Sequence, residues 1–405
     1  MSSPKSDFYP PRLNLPFIRF AQLIAPGGAY LLYQIELDVD YDSLNQLLAL
    51  RDQRVLLLPN HPTFQDPIAV FLLSGKLGQR FYYLAAYEQF QGLLGKIFQW
   101  LGVYSIRRGL ADRASIAQTI ELLSQSGCHL VIFPEGGCSF QNDIVMPFRA
   151  GAVQLAFQAM NRSVKQGQPI PDLYVVPVSI KYRYTQDMTA VIEHTLSRLE
   201  QTLHLAPGND RYERLRIVGE RILTQIEQEY GIENPLPEPT SWDQRITRLK
   251  FHVLANCEQQ LGLTSAPGEL DRERVYKIQN ALQEKAEALD TIAAEPQTLW
   301  NLEAMRWSMI RILNFDALHD GYVAAAPTPE RFLETLIRLE REVFKIDQPP
   351  PKGHRRASLR IGTPVNLKDY FAAYQQQRTE TIATLVNQFQ QTVQSNLDQL
   401  SQSEH

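Results

Sequence analysis

A histidine followed five positions later by an aspartate is the first pair in this chain whose types and spacing could do chemistry. Asn60-His61-Pro62-Thr63-Phe64-Gln65-Asp66 comes directly after the apolar run Arg54–Pro59. Imidazole is the natural general base near neutral pH. A carboxylate bonded to its far nitrogen fixes the tautomer and stabilises the imidazolium that forms. Four intervening residues let a tight turn, or the entry to a helix, bring Asp66 back onto the His61 ring. A second cluster, Phe133-Pro134-Glu135-Gly136-Gly137-Cys138-Ser139, follows the apolar residues 129–133. Its glycines let backbone N–H groups approach an anionic ligand closely. A third, residues 102–109, contains Arg107 and Arg108, and arginine grips phosphate with a planar, two-pronged donor set. Taken singly, the three have plain readings: a surface histidine, a strand-exit turn and a solvated basic turn.

The elements that must position these residues alternate in type. Residues 54–59 read as a buried strand, 67–77 as a helix, 81–85 as a strand and 89–102 as a helix. A short strand over 103–106 precedes a helix over 112–126, for which Asp112 is a good cap. Strands over 129–133 and 173–181 flank a helix over 147–160. This alternation predicts an α/β domain: a mixed, mostly parallel sheet flanked by helices. Loops at strand ends are where such sheets hold catalytic groups.

From about residue 189 the texture turns helical. Leu215, Val218, Ile222, Ile226 and Tyr230 recur every three or four residues and define one helix face. Residues 242–261 and 271–289 look similar, and the proline-rich 235–240 separates two of these helices. Residues 298–318 carry Trp300, Met305, Trp307, Met309 and Phe315 almost all round, which predicts a helix buried between neighbours. Residues 348–356 read as an exposed linker. A strand over 358–365 and a long helix with Ile382, Leu385, Phe389, Val393, Leu397 and Leu400 in register close the chain. A strand so late suggests a return to the first sheet. The expected organisation is a lead-in over 1–50, an α/β domain over 51–190 plus 355–405, and a large helical insertion over 191–350.

Composition excludes several functions. The 405 residues are 44% hydrophobic and 21% charged, enough for a sizeable core. A net charge of −4 and no basic stripe argue against nucleic acid as a partner. Three cysteines, Cys128, Cys138 and Cys257, show no metal-ligand spacing, so no metal and a reducing compartment are expected. The N-terminus lacks a secretory pattern, and no stretch of about 18 uninterrupted apolar residues stands out as a spanning helix. The expectation is a cytoplasmic protein, peripheral on a membrane at most. Residues 13–37, rich in Leu, Ile, Phe and Tyr but broken by Pro16, Pro26 and Gly27-Gly28, read either as a segment packed on the domain or as an interfacial hairpin or short helix.

Together, these clusters resemble the glycerol-3-phosphate and 1-acylglycerol-3-phosphate (lysophospholipid) acyltransferase superfamily. His61-x4-Asp66 matches its first motif. Residues 102–108 look like its second, with Arg108 the aligned arginine, and Phe133-Pro134-Glu135-Gly136 looks like its third. Val175-Val176-Pro177-Val178-Ser179 resembles the fourth, Phe148-Arg149-Ala150-Gly151-Ala152 the basic step after the third, and residues 359–365 the closing strand. The resemblance covers roughly residues 50–190 and 355–375. It implies transfer of an acyl group from a thioester, acyl-CoA or acyl carrier protein, to a hydroxyl of a lysophospholipid or related lipid alcohol. No cofactor is needed, because the acyl thioester is a co-substrate. His61 would be the base and Asp66 its orienter. Arg108, Glu135, Gly136, Gly137 and Arg149 would line the acceptor's polar head. One departure stands out: Gly137-Cys138-Ser139 replaces the small residue, Arg and Ser usual in the third motif, so the acceptor's identity is open. A thioesterase or esterase using the same dyad, and a non-catalytic lipid-binding protein on the same fold, are the alternative readings.

Overall fold

The computed structural model describes residues 8–206, 208–232, 241–289, 296–316 and 318–402. The strands are β1 (Ile35–Val39), β2 (Arg54–Pro59), β3 (Tyr82–Ala86), β4 (Val103–Ile106), β5 (His129–Val131), β6 (Leu173–Tyr184), β7 (Arg355–Ile361) and β8 (Val365–Asn366). They form one sheet in the order β1-β7-β6-β2-β5-β3-β4, with β8 on β6. The neighbours are parallel except where β6 meets β7 and β8. The early helices are α1 (Leu15–Tyr33), α2 (Tyr41–Ala49), α3 (Asp66–Lys76), α4 (Gly92–Trp100), α5 (Arg113–Ser124) and α6 (Gly151–Lys165). Then come α7 (Thr189–Leu203), α8 (Arg211–Glu229), α9 (Trp242–Leu261), α10 (Asp271–Leu289), α11 (Pro296–Phe315), α12 (Tyr322–Ala325) and α13 (Pro329–Phe344). The chain ends with α14 (Phe371–Gln376) and α15 (Arg378–Gln402).

Two compact units divide the chain. The first comprises residues 1–107, 111–185 and 353–405; the second comprises 108–110 and 186–352. In the first, the sheet is covered on both faces, which explains why its strands read as unbroken apolar runs. Leu56 and Leu58 join Leu130, Val175, Phe157 and Phe389 in one core. Val55 and Leu57 point the other way, to Val131, Val176, Ala69 and Leu73. The late strand does return to the first sheet, as β7 between β1 and β6. Asp112 caps α5 as its type predicts, accepting from the Ser115 backbone N–H.

The second unit is helical among its described residues. Leu215, Val218, Ile222 and Ile226 are the buried face of α8. In α11, Leu302, Met309, Ile312 and Phe315 are buried, as the hydrophobic pattern predicts, while the Trp300 side chain and residues 235–240 lie outside the described residues. Arginine–carboxylate pairs recur between the helices. Arg311, 1% exposed, donates to Glu342 and Glu229, and Arg245 pairs with Glu227 and Glu220. Buried guanidiniums need such partners to offset lost hydration.

The N-terminal segment packs on the domain by one face, as one of its two readings expected, but its shape differs from the other. Neither proline-broken hairpin nor short helix forms: α1 runs unbroken for 19 residues through Pro26, Gly27 and Gly28. It is long and apolar enough to cross a membrane by length and composition, which corrects the reading that no segment is, and only 11% of that window is buried. One face meets the domain through Ile18 and Ala29, and Gln22 donates to Ser74 Oγ and to the Gln79 carbonyl. The other face shows Phe20, Leu23, Ile24, Tyr30 and Leu31 to solvent. β1, which follows α1, had no clear signal in the sequence, where it merged with the lead-in.

Candidate active site

Because β2 and β5 are parallel neighbours, the loops leaving their C-terminal ends lie side by side. The first carries His61 and the second Glu135. Their backbones are tied directly. The His61 N–H donates to Glu135 Oε1 at 2.7 Å, and the Ser139 N–H donates to the His61 carbonyl at 2.8 Å. Both polar backbone groups of His61 are thereby held by the glycine-containing turn. Asn60 fixes the residue before it. It is buried, and its carboxamide accepts from the Ile180 N–H at 2.7 Å and donates to the Ile180 carbonyl at 3.0 Å. That side chain imitates a peptide and continues the β2–β6 ladder one step past the end of β2.

The ring of His61 meets Asp66 as the spacing predicts, with Nδ1 and Asp66 Oδ2 2.6 Å apart. An ionised carboxylate only accepts, so Nδ1 carries the proton and Nε2 keeps its lone pair. The carboxylate is fully buried, while the imidazole is 16% exposed. Thr63 saturates the carboxylate, donating its backbone N–H to Oδ2 and its hydroxyl to Oδ1, each at 2.9 Å. Asp66 also opens α3, where the helix dipole favours an anion. Phe133 lies against the ring with centroids 4.4 Å apart. The result is a partly exposed imidazole, backed by a buried carboxylate and held from both sides. Such an arrangement can remove a proton from a hydroxyl or from water.

Arg149 belongs to the same assembly. Its N–H donates to the Pro134 carbonyl at 2.9 Å, and its guanidinium lies against Gly136. Gly136 has φ +74°, a conformation that favours glycine, and a Cβ there would stand 2.5 Å from Arg149 Cζ and displace that guanidinium. Gly137 follows in the same turn, then the half-buried Cys138. The buried Glu135 completes it. On the other side of β2, Pro177 pairs with Leu58 in β6. The Gly362 N–H donates to the Pro177 carbonyl at 2.8 Å, which docks the closing strand on that proline.

The basic pair after β4 splits. The Arg107 N–H donates to Asp112 Oδ2 at 3.0 Å, and its guanidinium covers the Tyr87 ring. Arg108 is part of the second unit. There its guanidinium lies 4.5 Å from the Tyr276 ring centroid, and its carbonyl accepts from Asn280 Nδ2 at 2.6 Å. Nothing in the sequence pointed to Tyr276 or Asn280 as its neighbours. Sequence reasoning also missed Asn60, Thr63 and Ser139. The first two stand inside the motif itself, where a polar type beside a strand end was the available signal.

Fold and site together define an α/β domain with a hydrogen-bonded His61–Asp66 pair at the C-terminal end of a parallel strand. Residues 41–181 match the family model described as Acyltransferase, the family of glycerol-3-phosphate and 1-acylglycerol-3-phosphate acyltransferases, and this part of the chain is an acyltransferase domain of that family. No curated protein matches the chain. Membership supports an acyltransferase that takes an acyl donor and a lipid acceptor.

Proposed function

We propose that the protein esterifies the hydroxyl of a lysophospholipid or glycerol-phosphate-like lipid with a fatty acyl group taken from acyl-CoA or acyl carrier protein. The observation that carries this reading is the 2.6 Å bond from His61 Nδ1 to the buried Asp66, beside a turn whose Glu135 grips the His61 backbone. His61 Nε2 takes the proton of the acceptor hydroxyl as its oxygen attacks the thioester carbonyl. The C–S bond then breaks, and the departing thiolate receives that proton. Glu135, Gly136, Gly137 and Arg149 hold the acceptor's polar head. Cys138 stands where the family usually has arginine, and the Arg149 guanidinium lies against Gly136 of that turn. The exposed apolar face of α1 rests on the lipid surface that supplies the acceptor.

The test is a product survey. Purified protein is incubated with a panel of lyso-acceptors and an isotope-labelled acyl thioester, and products are identified by mass spectrometry. A labelled ester is expected, and its formation should fall about 10²–10⁴-fold in His61→Ala. Labelled free fatty acid without ester would instead favour the thioesterase reading. Unchanged thioester would favour a lipid-binding protein.

A further inference from the structure

Four non-glycine residues have left-handed backbones among the described residues: Gln34, Phe140, His204 and Lys345. Three of them end helices, α1, α7 and α13, where that conformation is ordinary. Phe140 ends no helix. With φ +53° it stands in the loop between β5 and α6, one residue after Ser139. Glycine or asparagine would adopt that backbone easily, whereas a bulky aromatic side chain works against it. Such a residue persists only where its surroundings over-determine it, and its explanation is sought in the side chain.

The surroundings here do so. The Ser139 N–H donates to the His61 carbonyl, and the Gln141 N–H donates to Ser139 Oγ at 3.2 Å. The buried Asn142 carboxamide then donates to the Tyr182 carbonyl at 2.6 Å and accepts from the Tyr182 N–H at 2.7 Å. Phe140 is thus fastened on both sides. Its ring meets that of Phe64 edge to face, with centroids 5.0 Å apart. Phe64 belongs to the other loop, between His61 and Asp66. With Phe133 against the imidazole, three aromatic rings come from the two loops that hold the dyad. All three are half-buried and so present accessible apolar surface at the site.

The reaction proposed above has a chemical competitor. In transfer, the alcohol oxygen bonds to the acyl carbon, the C–S bond breaks, and the alcohol proton passes through His61 to the thiolate, giving ester and thiol. Water can follow the same course and give carboxylic acid and thiol. Water is far the more abundant nucleophile, so a site that transfers must turn it away from the base. We propose that Phe140, paired with Phe64, is a specificity-determining residue whose ring favours the lipid hydroxyl over water as the nucleophile. This rests on the acyl-transfer reading.

The test measures how product divides, not how fast it forms. Labelled palmitoyl thioester, as the CoA ester and as the carrier-protein ester, is supplied with the lyso-acceptor panel, and labelled fatty acid and labelled ester are quantified by mass spectrometry. Phe140→Gly deletes the ring and relieves the backbone, which protects folding. Its ratio of fatty acid to ester should rise on the order of tenfold, the scale on which one apolar group in a pocket changes discrimination. Phe64→Leu, which breaks the pair from the other loop, should raise the ratio as well. Phe140→Tyr keeps the ring and should restore the wild-type ratio. A purely structural role would lower total product and leave the ratio alone. That result in Phe140→Gly, with ester still formed by the wild type, would overturn the inference and spare the transfer reading. Wild-type protein that makes no ester overturns both.

Discussion

The proton on His61 Nδ1 is held by a carboxylate that Thr63 saturates from two sides, and this invites a prediction at the scale of one hydroxyl. Thr63→Val keeps shape and the backbone donor but removes the bond to Asp66 Oδ1. A hydrogen bond to a charged group is worth about 1.5–3 kcal/mol. If half of that is felt by the imidazolium forming in the transition state, kcat falls roughly 3–10-fold. KM should barely move, since Thr63 positions the base rather than the lipid. Steady-state rates on the acceptor found by the product survey check this, and an unchanged kcat would mean that the carboxylate is held well enough by its remaining partners.

The elements do their work through register. β2 and β5 are parallel and adjacent, so two motifs some seventy residues apart in sequence deliver their loops to one place. β5 also begins with a buried histidine. His129 lies against Phe81, and its Nε2 has no partner among the described residues. Burial pushes its pKa below the ordinary value; backbone carbonyls at Leu50 and Gly127 and the Asp52 charge only partly oppose this. The folded state therefore binds fewer protons here than the unfolded chain between the lowered value and about 6.5. Stability from this group is complete above about pH 6.5 and is lost as pH falls below it, by at most about 1.4 kcal/mol per pH unit. Urea unfolding at pH 7.5 and 5.5 should show a smaller acid loss in His129→Gln than in wild type. An equal loss in both would show that protonation of this ring is not linked to folding.

At the scale of the molecule, α1 is the feature that soluble packing does not explain. A helix with a packed inner face ordinarily shows polar residues outward. Here Leu23 is 79% and Leu31 76% exposed, with Phe20 and Ile24 between. Such a face fits the boundary of a bilayer. The double variant Leu23→Glu/Leu31→Glu should lower co-sedimentation with phospholipid vesicles at least about 10²-fold, since each buried leucine is worth about 1.5–3 kcal/mol. Wild-type protein that stays in the supernatant would refute the role given to this helix. The second unit adds arginine–carboxylate pairs between helices to its buried apolar faces; the sequence displays the residues but not the pairing.

The sequence alone determined what depends on local spacing: the strand–helix alternation, the cap on α5, the buried stripe of α8, and the meeting of His61 with Asp66. These follow from periodicity and turn geometry, which act over a few residues. Tertiary structure alone decided which strand ends are neighbours, and hence that Glu135 and Ser139 clamp the His61 backbone. It also gathered Tyr182 and Arg355 on one face of the sheet, although 173 positions separate them in the chain. It let α1 run through Pro26, where the local signal was a break. Strand order and burial are set by how the whole core closes, and no window of sequence contains that information.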